Sequence, residues 1–294
     1  MIVVRLIGGL GNQFFQYALA RRLTYSNNGQ FKLDVSYYRT GNSRIRTYGL
    51  RHFNIIENIA TEDDLKALGI EDKEGLRSFF GKALGRGKPA DGNHRIVERA
   101  FGFDPEILKV PDNSYLDGYW QSEKYFADIA DVIRAELTPR NKMDDVNEAM
   151  ASEIKHESSV SLHIRRGDYV TNPENYKFHG TCSLDYYGRC IKGISQEVGS
   201  PHFFVFSDDI PWAKKNLKID HPVTYVNHND QENDFKDLYL MTKCKHHIIA
   251  NSTFSWWGAW LAGNTDKIVF APSKWFNEPK PGEEDLIPET WHRM

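Results

Sequence analysis

Short apolar runs alternate with helical patterns along most of the chain. The first run, residues 2–7, leads into the glycine-rich stretch GGLG and then into apolar residues that recur every four positions. That order predicts a strand, a tight turn and a helix, with Asn12 at the position of the helix N-cap. A second run at residues 31–35 predicts the next strand, so the chain begins as a βαβ unit.

The rest of the N-terminal half is less regular. Residues 75–92 are rich in Gly and Lys, which indicates a long insertion. After it, residues 115–120 have the pattern of a strand, and residues 122–137 have the pattern of a helix that Ser122 can cap. The polar, helical stretch that follows Pro139 contains the predicted domain boundary. We therefore expect one domain at residues 1–145 and a second at 146–294.

The C-terminal half is predicted to be a doubly wound parallel sheet. Its strand-like runs are each followed by a helical pattern, and an alternation of this kind is typical of parallel α/β sheets. The runs lie at residues 160–164, 202–207, 223–227, 246–251 and 267–271. Two βα halves in one chain indicate an α/β protein with two Rossmann-like domains that face a cleft.

Composition excludes several classes of protein. Hydrophobic residues make up 40% and charged residues 26% of the 294 residues, as in ordinary folded proteins. A formal net charge of -3 gives no general attraction to nucleic acid, so no nucleic-acid partner is expected. The aromatic share of 13% suits either sugar binding or a core of large side chains.

Three further features bear on location. The most apolar segment, residues 248–263, is too short and too polar at its start to span a bilayer. The N-terminus lacks the charged and then apolar pattern of a signal peptide. The odd number of cysteines, three, argues against a disulfide framework and favours a reducing compartment. We expect a cytoplasmic protein.

The candidate chemistry follows the predicted C-terminal strands. Ligands of open α/β sheets bind outside the carboxyl ends of the strands. Here those ends carry HIRRGDY at residues 163–169, SDD at 207–209, Asn227 and NSTFS at 251–255. Arginine forks match diphosphate oxygens, and the N–H groups and hydroxyls that open a helix also attract anions. Together these features favour a diphosphate site over plain helix capping.

Other interpretations of the same residues are weaker. Arg-Gly-Asp is an adhesive tripeptide, but such tripeptides need an exposed loop, whereas this one leaves a core strand. GGLGNQ could approach a phosphate, yet it lacks the third glycine of a dinucleotide fingerprint.

Asp208 and Asp209 could ligate Mg²⁺ or Mn²⁺, contact a base or ribose, or cap the helix that follows them. His246 and His247 are neighbours in a strand and point to opposite faces, so they cannot chelate one metal together.

Four motifs together resemble those of the bacterial α-1,2-fucosyltransferases. They are GGLGNQFFQYA, GYWQSEKYF, HIRRGDY and ANSTFSWWGAWL, and they extend in the expected order from residue 8 to residue 262. The one small departure is Phe14, where the family commonly has methionine. The resemblance implies a GT-B architecture and the transfer of L-fucose from GDP-β-L-fucose to the 2-hydroxyl of a β-galactoside, with inversion. It also implies that no metal or other cofactor is required.

The resemblance also implies roles for individual residues. Arg165 is the candidate for the β-phosphate, His163 and the two acids after residue 207 for the guanosine, and Asn12 with Gln13 for the sugar or the acceptor. The predicted catalytic residues are Arg165, Asp168 and Asn12. The predicted donor-binding residues are Gly9, Gly11, Gln13, His163, Arg166, Asp208, Asp209, Asn251, Ser252, Thr253, Phe254 and Ser255. The predicted acceptor-binding residues are Trp120 and Gln121.

The general base and the acceptor stay open at this point. Asp168 could take the proton from the acceptor hydroxyl, or it could orient a neighbouring arginine while the leaving phosphate accepts the proton. The acceptor could be a galactose-terminated free oligosaccharide, or a lipid-linked O-antigen or capsule unit. A lipid-linked acceptor would place the protein peripherally at the cytoplasmic face of the inner membrane. The alternatives are a transferase of the same fold with another donor or linkage, and a non-catalytic glycan-binding or adhesive protein.

Overall fold

The fold is described by a computed structural model. It covers residues 1–25, 29–39, 47–70 and 94–294, and the predicted insertion at 75–92 lies outside the described residues. Contacts divide the chain into two compact units. Unit 1 comprises Met1–Arg140 with Glu284–Leu286, and unit 2 comprises Asn141–Glu283 with Ile287–Met294. The division falls a few residues before the predicted boundary, because the helix that begins at Asp145 packs on the second sheet.

Unit 1 contains a parallel sheet of four strands in the order β2-β1-β4-β3. The strands are β1 (Ile2–Arg5), β2 (Phe31–Asp34), β3 (His94–Val97) and β4 (Ser114–Asp117). Val3 and Val4 of the central strand β1 have no exposed surface. Strand β3 lies at the edge of the sheet and most of its residues are exposed, so it lacks the apolar pattern that predicts a strand.

The helices of unit 1 are α1 (Leu10–Tyr25), α2 (Ser36–Arg39), α3 (Glu62–Ala67) and α4 (Ala130–Glu136). They correct two predictions, the first of which concerns Asn12. Helix α1 begins before Asn12, whose backbone N–H already bonds to the Gly9 carbonyl, so the predicted N-cap role is wrong. The turn comes earlier because Gly8, with a φ of 80°, reverses the chain directly after β1.

The predicted helix at residues 122–137 is interrupted. It consists of two 3₁₀ turns, Glu123–Tyr125 and Ala127–Ile129, followed by α4. Ser122 caps the first turn, as expected, by accepting a bond from the Lys124 N–H. Phe126 between the two turns is fully buried in a non-helical conformation. Burial of this ring therefore overrides the local helical pattern.

Unit 2 contains a parallel sheet of six strands in the order β10-β9-β8-β5-β6-β7. The strands are β5 (Ser159–Ile164), β6 (His202–Ser207), β7 (Val223–Val226), β8 (His246–Ile248), β9 (Val269–Ala271) and β10 (His292–Arg293). Alternate residues of β6 enter separate cores. Phe203 and Val205 pack with one core, and Phe204 and Phe206 pack with the other. This two-sided burial confirms the predicted doubly wound sheet.

Helices cover both faces of this sheet. They are α5 (Asp145–His156), α6 (Gly167–Thr171), α7 (Pro173–His179), α8 (Leu184–Val198), α9 (Ile210–Asn216), α10 (Asp234–Met241) and α11 (Thr253–Leu261). Helix α8 contributes to one core, and helices α5 and α10 contribute to the other. Within the described parts of the chain, no helix has both the length and the apolarity to cross a membrane.

The central strand β5 should dominate the stability of unit 2. Leu162 has no exposed surface and lies in the first of the two cores, so Leu162→Ala should lower the free energy of unfolding by about 2–5 kcal/mol. Urea unfolding measures this loss. Val146→Ala, at a position that is 59% exposed, should change the free energy by less than about 0.5 kcal/mol. Equal effects of the two substitutions would contradict the predicted role of β5.

Candidate active site

Arg165 follows the central strand β5 and is paired with two carboxylates. One terminal nitrogen forms an ion pair with Asp168, and the other lies 2.7 Å from Asp208 at the end of β6. Burial opposes the positive charge, but the two carboxylates outweigh it, and the pKa of Arg165 is raised. The side chain is therefore a fixed cation, 19% exposed, at the carboxyl edge of the sheet.

Arg166 is fixed by a second set of contacts. Its Nε lies 3.2 Å from an Asp209 oxygen, and its guanidinium lies over the Trp212 ring at 3.9 Å from the ring centroid. Asp209 also accepts a bond from the Trp212 N–H and so caps α9, as one of the sequence interpretations proposed. The backbone N–H of Arg166 donates to Asp208 at 2.8 Å. Both predicted acids thus contact the arginine pair.

Gly167 is required by the closeness of these groups. A Cβ at this position would lie 2.5 Å from an Asp208 carboxylate oxygen, much nearer than real contacts allow. A side chain here would displace the carboxylate that pairs with Arg165. The glycine of the Arg-Gly-Asp tripeptide therefore serves the pairing of Arg165, which argues against the adhesive interpretation.

Tyr169 and His179 extend the site. Tyr169 ends the HIRRGDY motif, but the sequence indicated no role for either residue. Their rings stack in parallel with centroids 4.4 Å apart, and the Arg165 guanidinium lies 5.3 Å from the Tyr169 ring. Desolvation lowers the pKa of His179 to about 4, with a weaker opposing effect of Asp168. His179 is the last residue of α7, a short helix that no sequence pattern predicted, so no local signal could have placed it beside Arg165.

His163 is a buried, neutral imidazole. It is 5% exposed, and burial together with nearby Arg165 lowers its pKa to about 3. Its ring lies 5.8 Å from the ring of Phe254, and its Nδ1 atom has no hydrogen-bond partner among the described residues. A buried nitrogen of this kind is unusual in proteins and suits a ligand contact.

The helix α11 begins with polar groups at the same edge of the sheet. Ser252 occupies the N-cap position, but its side chain makes no capping bond. Thr253 and Phe254 are half-buried. The first N–H groups of a helix carry partial positive charge and attract anions.

Two predicted donor-binding residues instead serve the fold. Asn251 is 3% exposed, and its amide donates to the carbonyls of His179 and Trp275 at 2.9 and 3.1 Å. Ser255 is fully buried and donates to the carbonyl of Ser252. Their polar side chains satisfy backbone groups that the fold buries. Direct donor contact by Asn251 or Ser255 is therefore not supported.

In unit 1, the glycine-rich turn places its residues differently from the prediction. Gly8, rather than Gly9 or Gly11, has the left-handed backbone, and a Cβ there would lie 2.4 Å from the Asn12 amide nitrogen. Gln13 is fully buried; its amide nitrogen donates to the carbonyl of Thr47, and its oxygen accepts from the Gly49 N–H. Gln13 therefore fastens a loop, and its role toward the sugar stays a prediction.

The two predicted acceptor residues also differ from each other. Trp120 is 1% exposed, so its ring offers almost no surface to a sugar in this structure, and its acceptor role stays a prediction. The side chain of Gln121, which is 7% exposed, donates to the Asn12 side-chain oxygen at 3.0 Å. The structure thus brings together Asn12 and Gln121, which lie far apart in sequence, at the carboxyl edge of the first sheet.

No metal centre is formed by the protein side chains that the structure describes. Among residues 1–25, 29–39, 47–70 and 94–294, no three His, Cys, Asp or Glu side chains are grouped so that they could share an ion. The positive groups at the edge of the second sheet are the two arginines and the start of α11. This arrangement can bind a diphosphate and stabilise the charge that develops on it when it leaves.

Comparisons with known proteins agree with this chemistry. The sequence profile described as Glycosyl transferase family 11 matches residues 101–294. An Escherichia coli protein named alpha-1,2-colitosyltransferase is 34% identical over 302 residues, with 100% of this chain and 99% of that protein covered. The O-antigen biosynthesis glycosyltransferase WbnK of Escherichia coli is 35% identical over 292 residues, which cover 92% of this chain and 93% of WbnK.

Among solved structures, the chain is similar to the fucosyltransferase NodZ from Bradyrhizobium. The TM-score is 0.50 at 14% identity, with 87% of this chain and 90% of NodZ covered. At this identity the likeness bears on the fold alone. Together with the two parallel sheets, it confirms the predicted α/β class with two Rossmann-like domains.

The neutral state of His163 predicts a dependence of stability on pH. Because its pKa is about 3 in the folded chain and about 6.5 when unfolded, only the unfolded chain takes up this proton as the pH falls below 6.5. The free energy of unfolding should therefore fall, by up to about 1.4 kcal/mol per pH unit from this group. Urea unfolding between pH 7 and 5 should show a smaller slope in His163→Leu.

The exposed residue His156 provides the control for this substitution. His156→Leu makes the same chemical change outside the core. Equal slopes in the wild type and His163→Leu would show that His163 is protonated in the folded protein.

Proposed function

Because the chain belongs to glycosyl transferase family 11, we propose that it transfers L-fucose from GDP-β-L-fucose to the 2-hydroxyl of a β-galactoside. The new bond joins the galactose O2 to the fucose C1, and the bond from C1 to the β-phosphate oxygen breaks with inversion. The observation that carries this proposal is the pairing of Arg165 with Asp168 and Asp208 at the edge of the second sheet.

Arg165 is suited to the diphosphate because its position is set before any ligand binds. A guanidinium has five N–H donors, and each of its ion pairs here involves one terminal nitrogen. Further donors can therefore contact phosphate oxygens. A donor that is already oriented stabilises developing charge without the cost of reorganisation.

The start of α11 supplies the second group for the diphosphate. Its first N–H groups, the Ser252 hydroxyl and the half-buried Thr253 lie at the carboxyl edge of the sheet that also presents Arg165. We assign His163, Arg166 and Phe254 to the same donor site. The remaining guanidinium donors and the N–H groups of the helix start can stabilise the charge on the departing GDP, and we propose a metal-independent reaction.

We assign Asp168 to the orientation of Arg165 rather than to proton removal. Its carboxylate is paired with Arg165 and accepts a bond from Asn175 at 3.4 Å. In this mechanism, the acceptor proton passes to the departing diphosphate. Asn12, with its partner Gln121, is assigned to the sugar side of the reaction.

A second donor is favoured by one relative. The protein named alpha-1,2-colitosyltransferase is 34% identical over the full chain. L-Colitose is L-fucose without its 3-hydroxyl, so a transferase for one sugar needs few changes to accept the other. GDP-L-colitose is therefore the alternative donor, with the same linkage.

The acceptor we propose is a galactose-terminated glycan of a surface polysaccharide. The name of WbnK, which is 35% identical, refers to O-antigen biosynthesis. A lipid-linked acceptor would place the reaction at the cytoplasmic face of the inner membrane, with the protein bound peripherally. A free galactose-terminated oligosaccharide serves as the soluble test acceptor.

The decisive measurement is the release of GDP from GDP-fucose and from GDP-colitose, with and without lactose. We expect release that requires the galactoside, is faster with one donor, and persists in excess EDTA because the arginines replace a metal. Mass spectrometry of the product checks the linkage. GDP release that does not depend on the galactoside, or no GDP release with either donor, would overturn the proposed function. Loss of GDP release in EDTA, followed by its rescue with Mn²⁺, would overturn metal independence.

Arg165→Lys tests the guanidinium itself. Lysine keeps the charge but loses the fork that contacts two carboxylates and the diphosphate together. Turnover should fall by about 10²-fold or more, as for other lost donors to a transition state. Arg189→Lys is the matched control, because Arg189 is 53% exposed and, within the described parts of the chain, forms its ion pair with Asp185 four residues earlier. Near-normal turnover in a folded Arg165→Lys protein would refute the assignment.

A further inference from the structure

Glu98 lies directly after β3, at the carboxyl edge of the first sheet. Its backbone N–H donates to the Asp117 carbonyl at 3.0 Å, which continues the pairing with β4. Its carboxylate then accepts the backbone N–H groups of Tyr119 and Trp120, at 2.7 and 2.9 Å. One carboxylate thus binds two successive N–H groups of the segment that leaves β4.

That segment, residues 118–121, is called the Trp120 turn here, and it is strained. Trp120 has a φ of 57°, a left-handed conformation that bulky residues rarely adopt. Its indole N–H is buried and has no partner in the described parts of the chain. Strained residues persist only where their surroundings hold them, and they are concentrated at functional sites.

Gly118 shows how closely Glu98 and the turn approach. A Cβ on Gly118 would lie 2.4 Å from the Cβ of Glu98 and 2.8 Å from the Trp120 ring. The carbonyl of Gly118 accepts the Gln16 amide at 3.0 Å, and the Gln16 oxygen accepts the Ile7 N–H. The turn is therefore fastened from both sides to the end of β1 and to Glu98.

The turn ends at Gln121, whose side chain donates to Asn12 at 3.0 Å. This bond fixes the rotation of the Asn12 amide, because its oxygen is engaged. Any change in the direction of residues 119 and 120 moves the donor of this bond. Glu98 thus acts on Asn12 through two N–H groups and one side-chain amide.

The surroundings of Glu98 make its charge sensitive to pH. Burial raises its pKa to about 7, against the effect of the two backbone N–H groups, and the Asp117 carboxylate adds to the rise. Asp117 is itself paired with Arg5 and Arg95 at 3.0 and 3.1 Å. Among the described residues, the charge of Glu98 also acts on the phenols of Tyr119 and Tyr125 and helps to raise their pKa.

We propose that Glu98 is a positioning residue for the transfer proposed above: its carboxylate holds the Trp120 turn and thereby keeps Gln121 in contact with Asn12. The inference rests on the proposed function for its catalytic consequence. A protonated Glu98 has one weakened acceptor oxygen and releases one N–H of the turn. The acceptor step should therefore lose efficiency as the pH falls, while the nucleotide site in unit 2 is unaffected.

The experiment compares the wild type with Glu98→Gln and Glu98→Asp. Since the carboxylate fraction rises through pH 7, wild-type kcat/KM for the galactoside should rise about 10-fold from pH 6 to pH 8. Glu98→Gln should be lower by about 10-fold or more at pH 8 and should show no such rise, since its amide has one acceptor oxygen. Glu98→Asp should keep the rise at a reduced rate. GDP affinity by calorimetry should stay within about twofold, as for a change outside the donor site.

Glu106→Gln is the matched control, because Glu106 is exposed and, among the described residues, its carboxylate pairs with Lys109 alone. Its kinetics should match those of the wild type. Backbone amide exchange in residues 118–121 gives a readout that does not need catalysis, and it should be about 10-fold faster in Glu98→Gln, since the Tyr119 and Trp120 N–H groups lose a charged acceptor.

Three results would overturn the proposal: unchanged exchange, unchanged kcat/KM for the galactoside in Glu98→Gln, or a flat wild-type profile from pH 6 to pH 8. The wild-type pH profile tests the proposal even if Glu98→Gln fails to fold. If the wild type transfers neither sugar, the proposed function fails by itself. In that case, faster backbone amide exchange in Glu98→Gln still supports the inference that the Glu98 carboxylate holds the Trp120 turn, and unchanged exchange refutes it.

Discussion

A positive charge at the end of a buried strand must be paired, and the pairing of Arg165 determines the local structure of unit 2. Asp168 can reach it only because the chain turns into α6 immediately after the strand. Asp208 can reach it only because Ile164 and Ser207 are in register, so that β5 and β6 end together. The glycine between Arg166 and Asp168 leaves the necessary space. The sheet register, the short helix and the glycine thus serve one ion-pair network.

The sequence predicted the second sheet and the position of Arg165 because both follow from alternation of buried strands and helices. It did not predict the fate of several polar residues, and the reason is physical. Gln13, Asn251 and Ser255 carry groups that suit a ligand, but each satisfies backbone groups inside the fold. Local sequence does not reveal which polar side chain a distant loop will need. The stacking of His179 on Tyr169 was not predicted for the same reason, because this contact depends on how α7 folds back.

Side-chain amides join separate backbone segments in both units. A single amide donates and accepts at once, so it can join two backbone segments that lack a common strand. Gln16 joins the end of β1 to the Trp120 turn, and Gln13 joins the glycine turn to residues 47–49. In unit 2, Asn251 joins the segment after β8 to the end of α7 and to the backbone at Trp275. Loops at the carboxyl edges of both sheets thus gain order without a regular ladder.

The assignment of Glu284–Leu286 to unit 1 has a consequence for how such a protein can evolve. Within unit 1, Asp285 accepts bonds from the Phe103 N–H at 2.8 Å and from the Lys124 ammonium at 2.6 Å. A recombination event with one crossover near residue 140 would therefore separate unit 1 from a segment that it uses. Exchange of whole domains between relatives would need two further junctions around residues 284–286. Unit 1 therefore diversifies more easily by substitution within the unit than by shuffling of domains.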